Sequence, residues 1–307
     1  MGRTFLAFAA ALVACGAIVA PSAQAQDAAG VERLTGTLAK VRSTGAITLG
    51  FRDASIPFSY LGPGRRPIGY TIDLCLAIVD EVKAALGVET VAVKYLPVNP
   101  QTRIPMVVDG TIDLECGSTT NNLERRKLVA FSPIFFVSGT KVMVKRGVKA
   151  KSYRDLRGKR IAVTEGTTNE AAVRAVDAKE GLGYAIVPFR DHDQSFAALA
   201  NGKADAWASD DALLYAQAAE STNPGDYVVL ADFLSYDPYG IMYRKGDAPL
   251  DAVVRRSFER LAETRELSRL YDQWFNRKLP SGRTLGLAMS PQLESIVESL
   301  GQPAASE

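Results

Sequence analysis

Three short stretches of the 307-residue chain gather hydroxyls, arginine and carboxylate at spacings that could hold a small charged molecule. The first, Gly117-Ser118-Thr119-Thr120-Asn121-Asn122-Leu123-Glu124-Arg125, follows an apolar run ending at Cys116. Ser118 and Thr120 offer hydroxyls, and a helix starting at the Asn121/Glu124 capping spacing offers unpaired N–H groups. Arg125 adds a planar fork, so the set suits a carboxylate. The second stretch, Thr164-Glu165-Gly166-Thr167-Thr168-Asn169-Glu170, is similar: Gly166 makes a turn, Thr167 and Glu170 stand at capping-box spacing, and Thr168 adds a hydroxyl and an N–H. The third, Ser209-Asp210-Asp211, puts a carboxylate after another strand-like run. In a closed cleft that carboxylate would hold an ammonium, because the pair is less screened there than on a surface. Each stretch also has a plainer reading: a capped helix with a surface arginine, a common turn, and an N-cap aspartate.

Two anion sites facing one carboxylate suggest an α-amino acid. Its side chain then needs a pocket, for which the candidates are Arg52, Arg103 and His192, the single histidine. Taken alone, a histidine is usually structural and a loop arginine usually solvated. The candidate ligand-binding residues are Arg52, Arg103, Ser118, Thr120, Arg125, Thr167, Thr168, His192 and Asp210, each still open at this point to its plainer reading. No Ser-His-Asp elbow, H-E-x-x-H helix or phosphate loop is present, so no catalytic residue, metal or cofactor is expected.

Stepwise alternation of strand-like and helix-like segments must position these residues, and it is the pattern of a parallel α/β sheet. A first round reads strand 46–51, helix 70–86, strand 91–96, short helix 103–108 and strand 112–116. A second reads strand 160–163, helix 168–179, strand 184–187, helix 195–200, strand 204–208 and helix 211–219. Extended stretches at 139–145 and 239–244 join the rounds twice, which implies two lobes, a hinge and a cleft. The chain then returns to the first lobe and ends in helices, including 251–263 and 266–275. Ligands of open α/β sheets sit at the carboxyl ends of strands, where all three stretches lie. The expected division is a first lobe of 31–138 with 241–300, and a second lobe of 139–240 that includes the hinge strands.

The start of the chain reads as an export signal over 1–25. Arg3 precedes an apolar run from Phe5 to Ala20, then Pro21 and Ala23-Gln24-Ala25. The run is short for a membrane span of about 20 residues. Leu12-Val13-Ala14-Cys15-Gly16 resembles a lipoprotein site, and the continuing apolar run favours cleavage after Ala25 instead. The mature chain, about 280 residues, is long enough for two domains. Formal charge is +2 overall, and the basic residues are scattered, so no nucleic-acid partner is expected. Cys75 and Cys116 remain, either bridged or as buried thiols.

These residues carry a resemblance over nearly the whole mature chain. Gly50-Phe51-Arg52-Asp53-Ala54-Ser55-Ile56-Pro57-Phe58, Gly69-Tyr70-Thr71-Ile72-Asp73-Leu74, Asp109-Gly110-Thr111-Ile112-Asp113-Leu114, Phe131-Ser132-Pro133 and Gly166-Thr167-Thr168 occur in one order. That order resembles the family 3 solute-binding proteins of polar amino-acid ABC importers. Arg103-Ile104-Pro105, Glu115 through Asn122, Asp191-His192 and Asp210 through Leu214 are similar to its glutamate/aspartate-binding subgroup. The resemblance implies a type II periplasmic binding protein fold: α/β, two lobes, a hinge of two extended segments and a ligand cleft between them. It further implies a monomer in the periplasm that takes L-glutamate or L-aspartate to the transmembrane subunits of an ABC permease. Ser118, Thr120, Arg125 and Thr168 would hold the α-carboxylate, Asp210 the ammonium, and Arg52, Arg103 and His192 the side-chain carboxylate. Pro100 and Glu165 depart from the subgroup's pattern. The rival readings are a cyclohexadienyl dehydratase-like enzyme on the same fold, a receptor for a neutral amino acid such as glutamine, and a sensor domain.

Overall fold

The computed structural model describes residues 34–302, together with Met1 and Gly2. Apart from those two, the expected signal peptide lies outside the described residues, as do Cys15, Ala25 and residues 31–33. Among the described residues no helix is long and apolar enough to cross a membrane.

The chain opens with α1 (Gly36–Thr44), β1 (Ala46–Phe51) and a small antiparallel sheet of β2 (Ala54–Ser55), β3 (Ser59–Leu61) and β4 (Pro67–Ile68). Next come α2 (Tyr70–Leu86), β5 (Ala92–Pro97), α3 (Arg103–Val108), β6 (Leu114–Cys116), α4 (Leu123–Arg126) and β7 (Val129–Phe131). Two short strands follow, β8 (Phe136–Ser138) and β9 (Thr140–Lys145). The second round is β10 (Arg160–Thr164), α5 (Thr168–Glu180), β11 (Ala185–Phe189), α6 (His192–Ala200), β12 (Ala206–Asp210), α7 (Asp211–Glu220) and β13 (Tyr227–Val229). The return runs through β14 (Asp237–Tyr239) and β15 (Met242–Arg244) to α8 (Ala248–Glu263), α9 (Glu266–Phe275) and α10 (Pro291–Leu300).

Two five-stranded sheets result, ordered β5-β1-β6-β15-β7 and β11-β10-β12-β9-β13. In each, the first three strands are parallel and the fourth is antiparallel to both neighbours. The sheets are thus mixed, where alternation alone suggested parallel ones. The reason is the crossing: β9 enters the second sheet straight from the first, and β15 enters the first straight from the second, so each runs against its neighbours.

Burial explains the layers. In the second sheet Val142, Val144, Ile161, Val163, Ala206 and Ala208 face one apolar cluster with Val173 of α5. The intervening Met143, Ala162 and Trp207 face another, with Ala198, Leu199 and Leu214 of α6 and α7. This period of two buries both sides of the sheet and accounts for the near-continuous apolar strands. The first sheet is covered likewise, by α1, α2, α8 and α9 on one face and by Val107 of α3 on the other.

At the head of the two extended stretches that join the rounds, a short two-stranded crossing forms on its own. That crossing is the antiparallel pair β8 and β14, with Phe136 opposite Tyr239 and Ser138 opposite Asp237. Residues 140–145 and 242–244 instead join the two sheets, because their apolar side chains are needed there. Phe136 and Tyr239 pack against each other at 5.6 Å and against Phe58 at 4.8 and 5.2 Å, so the crossing rests on an aromatic base. Cys75 of α2 and Cys116 at the end of β6 are joined by a disulfide, tying the strand that leads into Ser118 to the helix behind it.

Candidate functional site

Every candidate residue stands at the carboxyl end of a strand or the start of a helix. Arg52 follows β1, Arg103 opens α3, Ser118 and Thr120 lie in the loop after β6, and Arg125 is in α4. From the second lobe, Thr167 caps α5, Thr168 opens it, His192 opens α6 and Asp210 ends β12. The structure brings the two sets together across the cleft: Thr120 Oγ1 lies 3.1 Å from Thr168 Oγ1. Nearer the mouth, Gln101 Nε2 donates to the Glu165 carbonyl at 3.0 Å and to its carboxylate at 3.3 Å.

Three guanidiniums are buried here, with Arg52, Arg103 and Arg125 exposed by only 3, 2 and 8 %. Burial, followed by repulsion from Arg103, pushes Arg52 down to about 10 and Arg125 down to about 9. Burial depresses Arg103 as well, although Glu115 opposes the shift. All three stay cationic near neutral pH, and all are short of negative charge. Glu115 provides part of it: its carboxylate is fully buried, accepts from Thr119 Oγ1 at 2.7 Å and stands 3.9 Å from Arg103 Nη1. Arg103 in turn donates to Thr119 Oγ1. Arg103 Nε and Ser118 Oγ are buried with no partner among the described residues. Buried donors are nearly always paired, so these two have the capacity to bond a group that brings acceptors.

The loop after β6 is shaped by close approach. A Cβ on Gly117 would stand 2.3 Å from Glu115 Oε1 and 2.9 Å from Arg52 Cγ, so only glycine passes between them. Asn122, not Asn121, caps α4 by accepting from the Arg125 N–H at 2.9 Å. Asn121 sits one residue too early and accepts from Arg126 Nε instead, which corrects the capping pair read from the sequence. Arg125 Nη1 donates to the Thr120 carbonyl at 2.9 Å, aligning its fork with that loop.

In the second lobe, Thr167 is committed as a cap. Its hydroxyl donates to the Thr164 carbonyl at 2.6 Å and accepts from the Glu170 N–H at 3.1 Å. Glu170 reaches back to Gly166 rather than to Thr167, at 2.9 Å. What Thr167 can offer a ligand is backbone, alongside Thr168. His192 is 3 % exposed and its Nδ1 lies 2.9 Å from Thr164 Oγ1. Burial, then Arg52 and Arg103, holds it far below its usual range, so it is a neutral imidazole. Asp210 occupies the N-cap position of α7 without capping it. Its carboxylate accepts from Asn169 Nδ2 at 3.0 Å, and Asn169 is held by Thr140 Oγ1 at 2.8 Å. Burial, then the neighbouring Asp237, raises Asp210 to about 7. A buried carboxylate held off its helix and short of a cation is arranged to receive one.

Glu115, Thr119, Asn169 and Asp237 were not among the residues read as functional. Glu115 did leave a sign, since a carboxylate inside the apolar run Leu114-Glu115-Cys116 must be paired if that run is buried. Asn169 and Asp237 left none, because their roles depend on pairings across the fold. Among the described residues no group of three or more His, Cys, Asp or Glu is placed to hold a metal ion.

Comparison with known proteins follows the same lines. The family model described as bacterial extracellular solute-binding proteins, family 3, matches residues 47–277. The L-glutamate/L-aspartate-binding protein of Pseudomonas aeruginosa is 44 % identical over 279 residues, covering 90 % of this chain and 92 % of that protein. The glutamate/aspartate import solute-binding protein of Escherichia coli is 36 % identical over 281 residues, 91 % of this chain and 92 % of its own length. Among solved structures, an ancestral arginine-binding protein bound to arginine superposes with a TM-score of 0.68 at 30 % identity, covering 76 % of this chain and 99 % of the other. An ancestral amino acid-binding protein, described as a precursor of cyclohexadienyl dehydratase, gives 0.66 at 29 % identity and covers 79 % of this chain and 100 % of the other.

Proposed function

Because this chain belongs to the bacterial extracellular solute-binding proteins of family 3, we propose that it is the periplasmic binding subunit of an ABC importer, taking up L-glutamate or L-aspartate as a monomer and presenting it to the membrane permease. The observation that carries this reading is the charge of the cleft. Three buried arginines stand together, partly matched by the buried carboxylates of Glu115, Asp210 and Asp237, and Arg103 Nε and Ser118 Oγ have no partner among the described residues. In this reading the α-carboxylate lies between Ser118, Thr120, Arg125 and the N-terminus of α5, and the ammonium lies on Asp210. The second carboxylate meets Arg52 and Arg103, with His192 as a neutral hydrogen-bonding partner. A neutral side chain would leave buried positive charge unpaired, at a cost of several kcal/mol, which gives the selectivity for acids. A ligand of about ten heavy atoms can reach about −8 to −12 kcal/mol, micromolar to nanomolar, within known efficiency limits.

Capture works by closing the two lobes about β8 and β14, and the permease recognises the closed form. The contacts Thr120–Thr168 and Gln101–Glu165 belong to that closed form. Adding glutamate to ligand-stripped protein is therefore expected to reduce its radius of gyration in solution scattering. Superimposable profiles with and without saturating glutamate would remove the closure.

A dehydratase reading has one observation in its favour: Asp210, near 7, is half protonated at neutral pH and has the titration of a general acid. Incubation with prephenate or arogenate decides it, since an aromatic product would establish the enzyme and unchanged substrate would end that reading.

A further inference from the structure

Beside the binding residues lies a chamber of about 410 Å³ whose walls include Arg52, Asn99, Thr102, Arg190, Asp191 and Gln194. That volume is within the roughly 300–1,000 Å³ of small-molecule sites. Its position is tied to one end of the cleft. Arg52 is itself a wall, while Thr102 and Asp191 immediately precede Arg103 and His192 in the chain. Ser118, Thr120, Arg125, Thr168 and Asp210, at the other end, do not line it. The chamber therefore shares Arg52 with the end of the cleft assigned above to the ligand's distal carboxylate, and its wall includes the residues that precede Arg103 and His192 in the chain.

The walls also carry chemistry. Arg52 is 3 % exposed, and the hydrogen bonds it makes run through its backbone to Ser59 Oγ, leaving the guanidinium unpartnered among the described residues. Arg190 and Asp53 stand exposed at the rim. Asp191 is partly used, accepting from the Gln194 N–H at 2.8 Å. Guanidiniums beside amide and carboxylate acceptors suit a group that presents an N–H and then a further carboxylate. A glutamate needs only the inner end of this space.

We infer that the chamber is a second compartment of the site, which admits γ-glutamyl compounds: acidic amino acids extended at the distal carboxyl by one more residue, with the new terminal carboxylate lying between Arg52 and Arg190. The inference rests on the acidic-amino-acid reading above. In such a ligand the γ-carboxyl becomes an amide, whose N–H faces the partly used Asp191 carboxylate, and the negative charge moves outward by one residue. The loss of charge at Arg103 is offset by its recovery at Arg52 and Arg190.

The test is calorimetric titration of ligand-stripped protein with glutamate and with γ-L-glutamylglycine, in the parent, Arg190→Ala and Gln194→Trp. Arg190→Ala removes one charge-assisted contact and should weaken γ-glutamylglycine about tenfold. Gln194→Trp narrows the chamber and should weaken γ-glutamylglycine binding by about tenfold or more. Both variants should leave glutamate within about twofold of the parent, because neither side chain touches its end of the cleft. If the parent binds glutamate but not γ-glutamylglycine, or if Gln194→Trp leaves the extended ligand untouched, the chamber is only the mouth of the cleft and the inference is overturned. If glutamate itself fails to bind, the underlying reading falls first, and the same titration distinguishes that result.

Discussion

Replacing Asp210 with alanine is expected to weaken every amino-acid ligand alike, by about 3 kcal/mol or two orders of magnitude. The effect is uniform because in the proposed site Asp210 meets the ammonium, which all amino acids share, and it is large because the carboxylate is 4 % exposed and has no competing cap to make. Affinity should also depend on pH through this residue. Its carboxyl is raised to about 7, by burial first and then by Asp237. The sign follows: a raised carboxyl stabilises the ligand-free fold below its ordinary value near 4, and that contribution is lost as pH rises through 7. An ammonium ligand needs the ionised form, so its binding is strongest above 7 and falls by up to about tenfold per unit below it. Burial, then Arg52 and Arg103, holds His192 well below its ordinary range, and a glutamate side chain titrates near 4.3, so neither is the source of this dependence. Titrations between pH 8 and 5.5 check this, and Asp210→Asn should flatten the profile. A steep profile that survives in Asp210→Asn would assign the proton elsewhere.

Arg103→Ala is expected to separate acids from amides. Glutamate and aspartate should lose about a hundredfold, from removal of a buried charged partner worth about 2–5 kcal/mol, while glutamine should lose about tenfold or less. Arg103 also pairs with Glu115, so the single variant leaves a buried carboxylate uncompensated and should lower fold stability by about 3–5 kcal/mol. Pairing the change with Glu115→Gln removes that charge, restoring thermal stability while leaving the ligand selectivity altered. Equal losses for glutamate and glutamine in the stabilised double variant would take Arg103 out of the side-chain pocket.

Much of this arrangement is legible in the chain, for physical reasons. The helix at 70–86 has its observed bounds because apolar spacing fixes its face and Gly87 stops it in a left-handed conformation, φ 61°. The helix at 103–108 likewise begins where Arg103 was read to begin. The α6 helix starts at His192, three residues before the apolar pattern, since Asp191 supplies a cap that periodicity does not register. Strand direction was not legible at all: β9 and β15 carry the same alternation whichever way they run, and only the hinge crossing makes them antiparallel. The same limit applied in the site. Arg52, Arg103, Ser118, Thr120, Arg125, Thr168, His192 and Asp210 can be singled out by their places at strand ends and helix starts, while their residue types alone fit caps and solvated side chains as well. Glu115, Asn169 and Asp237 matter only through partners brought close by the fold, which no local spacing encodes.

The most direct measurement is calorimetric titration of refolded, ligand-stripped mature protein with glutamate, aspartate, glutamine and arginine. Tight binding confined to glutamate and aspartate is the expected result, because a second carboxylate supplies the charge that Glu115 alone leaves wanting at Arg52 and Arg103. Tight binding of glutamine or arginine with silence for both acids would contradict it, leaving the fold and overturning the pocket.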